Sequence, residues 1–164
     1  MYLLRFLCLL VAMISLPGYA EQKTINFVFQ DVNNKQFKLS DFKGKWVIVN
    51  FLAPWCPMCW IESPTLNSLA TRKDVVVIGI VMDYGPDNTA VDNTIKSHNL
   101  QFTKYVYGGS RKDATSAYRQ IGPVDFFPTS YIFNPKGTVV LFVPGQFRKD
   151  YFLSFINKKE NAER

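Results

Sequence analysis

"WVIVNFLAPWCPMC", residues 46–59, decides the fold. Residues 46–53 form a nearly continuous apolar run rich in β-branched side chains, the composition of a strand covered on both faces of a parallel sheet. Pro57 suits the first turn of a helix, where its missing N–H would have had no intrahelical partner. The stretch therefore predicts a central strand, a short turn and a helix over residues 57–70, with Cys56 and Cys59 at the junction. Pro64 crowds the carbonyl of Trp60 and removes one helix bond, which predicts a kink near residues 60–64.

Working outward, "TINFVFQD" alternates apolar and polar residues, "NNK" supplies turn chemistry and "QFKLSDF" follows, which together predict an N-terminal β-hairpin. "VVVIGIVM" (75–82) reads as a second buried strand and residues 87–98 as a weaker helix. Then come "FTKYVY" as a strand, a helix near 113–121, "TSYIFN" and "TVVLFV" as a hairpin turned at Pro135-Lys136-Gly137, and a closing helix over 148–158. Strands alternating with helices and ending in a hairpin predict an open α/β sheet with helices on both faces. The crevice beyond the strand ends, where Cys56 falls, is the usual place for chemistry in such sheets.

The chain has 164 residues, 48% hydrophobic and 15% aromatic, which fits one domain with its own core. Residues 1–20, "MYLLRFLCLLVAMISLPGYA", carry Arg5, an apolar run and then Pro17, Gly18 and Ala20, the layout of a secretory signal cleaved after Ala20. An uncut membrane anchor is the alternative, against which the apolar run is short. The division is thus a signal over 1–20 and one domain over 21–164, placed in the periplasm or another extracytoplasmic space. The net charge of +6 is scattered without a basic stripe, which argues against nucleic acid as a partner.

Cys8 departs with the signal, so the mature chain keeps only Cys56 and Cys59. Export places them where disulfides persist. A bridge across two residues closes almost the shortest loop available and stabilises little, so a structural staple is a poor reason for the pair. Exchange chemistry gives each cysteine a task. Cys56, expected to be the exposed thiol, attacks a partner's disulfide as thiolate, and the more sheltered Cys59 resolves the mixed disulfide.

Trp55-Cys56-Pro57-Met58-Cys59 resembles the active site of the thioredoxin superfamily. Its surroundings, "FKLSDFKGKWVIVNFLAPWCPMC", Glu62, Pro64 and "FPTSYIFNPKG", are similar to the exported TlpA/ResA/CcmG-like branch, over nearly all of residues 25–157. The resemblance implies a thioredoxin-like fold with a central mixed sheet, flanking helices and an N-terminal hairpin extension, and the activity of a thiol-disulfide oxidoreductase. It implies a cis peptide before Pro128, in a loop that packs against the cysteines and offers backbone groups of Phe127 to an extended substrate, with Trp55, Pro57, Met58 and Thr129 completing the substrate surface. No resident cofactor is implied. It suggests protein partners bearing disulfides or thiols, of the cytochrome c maturation or copper-site assembly type, a membrane-bound thiol reductase as electron donor, and a monomer.

Glu62, three residues after Cys59, shares a helix face with it. By spacing alone it is either a proton carrier for Cys59 or an exposed helix acid without chemistry; the resemblance favours the first. Asn50 stands where thioredoxin has a buried aspartate, and an amide carries no proton, so Glu62 is the nearby candidate base. His98, the sole histidine, reads as an ordinary surface residue. Pro57 donates no N–H and Met58 offers no charge to the thiolate, which predicts a moderate Cys56 pKa and a reductase. The rivals are a copper carrier using the same cysteines, since soft thiolates suit Cu(I), and a noncovalent adaptor. Structural zinc needs four ligands, and the chain supplies two cysteines and a distant His98.

Overall fold

The computed structural model describes residues 25–162; the signal expected over residues 1–20 lies outside them. The strands are β1 (Val28–Gln30), β2 (Gln36–Lys38), β3 (Trp46–Leu52), β4 (Val75–Met82), β5 (Lys104–Gly109), β6 (Thr129–Phe133) and β7 (Val139–Pro144). The helices are α1 (Pro57–Ala70), α2 (Thr89–Ser97) and α3 (Lys149–Ala162). β1 and β2 form the separate antiparallel hairpin, and the other five strands form one sheet in the order β5-β4-β3-β6-β7. β3 sits at its centre, parallel to β4 and antiparallel to β6. The apolar run at 46–52 is buried at every position, as a two-sided central strand demands.

Alternation along β3 and β4 divides the core in two. Ile48, Leu52, Val77 and Val81 face Leu66 and Leu69 of α1, Val91 of α2, and Phe152 and Ile156 of α3. Val47, Val49, Phe51, Ile78 and Ile80 face Phe27, Phe29 and Phe37 around the hairpin, together with Tyr118 and Ile121. The connections β3–α1–β4 and β4–α2–β5 advance the same way across the sheet, and right-handed crossovers then put both helices on one side. All three α-helices thus pack on one face, and the hairpin with two short 3-10 helices, Leu39–Phe42 and Ala117–Gln120, covers the other.

This corrects the expectation of helices on both faces. The helix expected near 113–121 contracts to the single 3-10 stretch Ala117–Gln120. Its first residues spend their polar groups locally: Asp113 accepts from the Thr115 N–H and hydroxyl, and the Ser116 hydroxyl accepts from the Ser110 N–H while donating to the Ser110 carbonyl. Such side-chain bonds compete with the helical ladder, and Gly122 and Pro123 then end the segment. α1, by contrast, continues through Pro64, whose side chain stands on the exposed side. The Ser63 hydroxyl caps the Cys59 carbonyl at 2.8 Å just before it.

Phe152 anchors α3 over β3, edge-on to Trp46 at 6.3 Å and tilted against Phe147 at 5.5 Å, with no exposed surface. Truncating Phe152 to Ala is expected to cost about 3–5 kcal/mol in denaturant unfolding. The same change at its neighbour Tyr151, which is 55% exposed, should cost less than about 1 kcal/mol. Equal losses at the two positions would contradict this placement of the core.

Candidate active site

β3 ends at Leu52, and the chain turns through Ala53, Pro54 and Trp55 before α1 begins. Cys56 is the N-cap of α1, with extended backbone (φ −97°, ψ 100°), and Pro57 fills the first helical position. In this first turn the Cys59 N–H donates both to the Cys56 carbonyl and to the Cys56 sulfur, each at 3.2 Å. Cys56 and Cys59 are joined in a disulfide, their Cα atoms 5.5 Å apart.

The expectation of an exposed Cys56 does not hold in this state. Cys56 is 3% exposed and Cys59 is 2% exposed. Joined to Cys59, the Cys56 sulfur lies over the helix N-terminus, and both residues belong to the core cluster beneath the end of β3. What the motif shows to solvent is its rim: Trp55, Pro57 and Met58 are exposed, with Ile61 one turn further along α1.

The Phe127–Pro128 peptide is cis. Pro128 is buried, and its carbonyl accepts from the Gly145 N–H at 2.9 Å. Thr129 is also buried and turns its hydroxyl back to donate to the Phe126 carbonyl at 2.9 Å, which closes the loop on itself. The Phe127 ring meets the Trp55 ring edge-on at 5.5 Å, so the loop and the rim of the cysteine motif are in direct contact.

Glu62 lies one helical turn beyond Cys59 and is 1% exposed, which rules out the reading of it as a solvated helix acid. One carboxylate oxygen accepts from Asn50 Nδ2 at 2.7 Å, and the other accepts from the Phe147 N–H at 2.5 Å. The Asn50 amide also donates to Ser130 Oγ at 3.0 Å. Burial pushes the Glu62 carboxyl up to about 7, with the Phe147 N–H and the Asn50 amide pulling the other way. The acid therefore sits inside the protein on the cysteine helix itself, with burial raising its pKa toward neutrality.

Two features are additional to the sequence reading of the site. The Phe147 N–H and Ser130 complete the Glu62 network; Ser130 lies in the "FPTSYIFNPKG" stretch but was assigned no role there, and Phe147 carries no local motif. His98, expected as an ordinary surface residue, is half-buried and stacks on Trp60 with ring centroids 3.7 Å apart and planes 6° from parallel. Among the described residues no group of three or more His, Cys, Asp or Glu side chains is placed to hold a metal ion.

Comparison with known proteins agrees with this geometry. A family model described as AhpC/TSA family matches residues 20–142. The thiol-disulfide oxidoreductase ResA of Bacillus subtilis is 33% identical over 133 residues, covering 80% of this chain and 71% of that protein. The exposed lipoprotein thioredoxin Etrx1 of Streptococcus pneumoniae is 25% identical, with a TM-score of 0.62 over 81% of this chain and 98% of that one. A secreted disulfide oxidoreductase of Mycobacterium tuberculosis shares the fold at 21% identity, with a TM-score of 0.61 over 80% of this chain and 95% of that one. With a paired CxxC at the end of the central strand, the chain belongs to the thioredoxin-like AhpC/TSA family, as a thiol-disulfide oxidoreductase.

Proposed function

We propose that this protein works outside the cytoplasm as a reductase of disulfides in partner proteins, of the cytochrome c maturation or copper-site assembly type. Residues 1–20 support export by their signal-like layout, and no helix among the described residues is long and apolar enough to cross a membrane. One observation carries the reading: a carboxyl that is 1% exposed lies on the same helix, one turn from a closed cysteine pair. A structural staple has no use for such an acid.

The cycle starts from the reduced pair. The Cys56 thiolate, at the helix N-terminus and near the Cys59 N–H, attacks one sulfur of the partner's disulfide, forms a mixed disulfide and releases the partner's other sulfur as a thiolate. Glu62, as carboxylate, takes the proton of the Cys59 thiol. The Cys59 thiolate attacks the Cys56 sulfur, which closes the intramolecular disulfide and frees the partner's second thiolate. Two electrons pass to the partner, and a membrane-bound thiol reductase returns them. Trp55, Pro57, Met58 and Phe127 form the contact rim, while Pro128 and Thr129 hold the loop that presents Phe127. The protein acts as a monomer. The described structure corresponds to the oxidised end of the cycle.

Replacing Cys59 with Ser leaves Cys56 nothing to be released by, so mixed disulfides should accumulate through Cys56 in the native compartment and be identifiable by mass spectrometry after non-reducing electrophoresis. A variant that captures nothing while still binding its partner noncovalently would point to the adaptor reading.

Exchange Glu62 for Gln and turnover should fall by about 100-fold or more, with loss of the pH–rate inflection near 7. A rate and profile like those of the native protein would remove Glu62 from the chemistry.

The same carboxyl makes a separate prediction about stability. Its folded pKa, about 7, is raised above the 4.5 of a solvated glutamate. The folded state therefore holds the proton more tightly: this contribution is fully present below pH 4.5 and is lost as pH rises through 7. The loss should amount to about 3 kcal/mol in urea unfolding of the oxidised protein. The Glu62→Gln variant should lack that slope, even though its amide leaves one donor facing another and lowers stability at every pH. A slope that survives the substitution must come from other groups.

A further inference from the structure

Trp55 borders the cysteine motif, yet the residue is 57% exposed. So little packing does not by itself hold an aromatic side chain in one orientation. Four hydrogen bonds around Arg111 and Asp83 supply the restraint. The Trp55 indole N–H donates to the Asp83 carbonyl at 3.3 Å. Asp83 accepts from the Arg111 backbone N–H at 2.9 Å with one carboxylate oxygen and from the Arg111 Nε at 2.6 Å with the other. The far end of the guanidinium donates from Nη1 to the Asp125 carbonyl at 2.7 Å.

Held at both ends in this way, the guanidinium carbon lies 4.6 Å from the Phe127 ring centre and 5.9 Å from the Trp55 ring centre. It thereby links four segments: the turn before Cys56, the end of β4, the loop after β5 and the loop carrying cis-Pro128. Asp83 adopts a left-handed backbone (φ 49°), a conformation that Asp and Asn tolerate better than most residues, and this aims both its carbonyl and its carboxylate into the cluster. The cluster walls one side of an open groove of about 990 Å³ that runs from Trp55 past Tyr84 and Lys112.

We propose that Arg111, clamped by Asp83, is a positioning residue for disulfide exchange, which fixes the Trp55 and Phe127 rings as the mouth through which a partner's sulfur reaches Cys56. The inference rests on the reading of Cys56 as the attacking sulfur. Arg111 touches no reacting atom; it acts through the two rings. A fork of donors that also stacks flat on aromatic rings is a property of arginine and not of lysine, so the role is specific to the side chain as well as to its charge.

The test uses the full mature chain labelled with 5-fluorotryptophan, whose three tryptophans report separately by fluorine NMR, Trp55 being assigned by loss of its signal in Trp55→Phe. Insulin reduction driven by dithiothreitol gives kcat and KM. For Arg111→Ala we expect a fall in kcat/KM of about tenfold carried mainly by KM, a shifted or broadened Trp55 resonance, unmoved Trp46 and Trp60 resonances, and a melting temperature that is lowered but stays well above the assay temperature. Arg111→Lys should not restore the rate. Asp83→Asn, which the left-handed backbone accommodates, should reproduce the Arg111→Ala pattern. A variant with native kcat/KM overturns the proposal, as does recovery of the rate in Arg111→Lys or a general shift of all three resonances. Wild-type protein inert toward insulin overturns the underlying function instead, which separates the two failures.

Discussion

The structure depends on one buried carboxyl. Glu62 sits where water does not reach it, and it is tolerated there because Asn50 from the central strand and the Phe147 N–H from the loop before α3 each donate to one of its oxygens. An unpaired carboxylate in such a place would cost many kcal/mol or simply remain protonated. With two donors it is held near the balance point, charged or neutral according to a small change in its surroundings. The constraint also ties together three elements of different origin in the chain, β3, α1 and the approach to α3, so the helix that carries the cysteines is fixed at the point where the acid lies.

The topology makes this arrangement possible. Because α1 and α3 pack on the same face of the sheet, the loop entering α3 comes within reach of the first turns of α1. The opposite face, covered by the hairpin and 3-10 stretches, contributes a second aromatic core with Phe27 stacked on Phe29 at 4.9 Å. That core holds the sheet from behind and reaches the site through Phe127, which packs against it. The two faces divide the work: one stabilises, and the other stabilises while enclosing the reactive groups.

How much of this could be read from the chain follows the range of the interactions. The central strand, the cysteine-bearing helix, the N-terminal hairpin and the closing hairpin were legible because each is set by local periodicity or by a turn residue such as Pro57 or Gly137. The second-face helix was misjudged at 113–121, where Asp113 and Ser116 capture backbone groups; Ser and Asp in "DATS" are the residues that favour such local bonds, so a signal was present there. Phe147 enters the site through its backbone N–H, a group that almost every residue has, and so no side-chain pattern could single it out. Arg111 looks like any other cation until the ends of β4 and β5 bring it to Asp83. Burial of Cys56 was illegible for another reason: the motif places the residue at the helix N-terminus but does not say how closely the surrounding core packs over it.

The most direct test of the account is the ionisation of Glu62 itself, followed in the oxidised protein by the carbon-13 shift of its side-chain carboxyl, assigned by comparison with Glu62→Gln. The account predicts a midpoint at about 7, well above that of an ordinary glutamate. A midpoint near 4.5, the value of a solvated side chain, would contradict it, because a carboxyl that loses its proton so readily is neither held in an apolar site nor able to exchange protons with Cys59 at neutral pH.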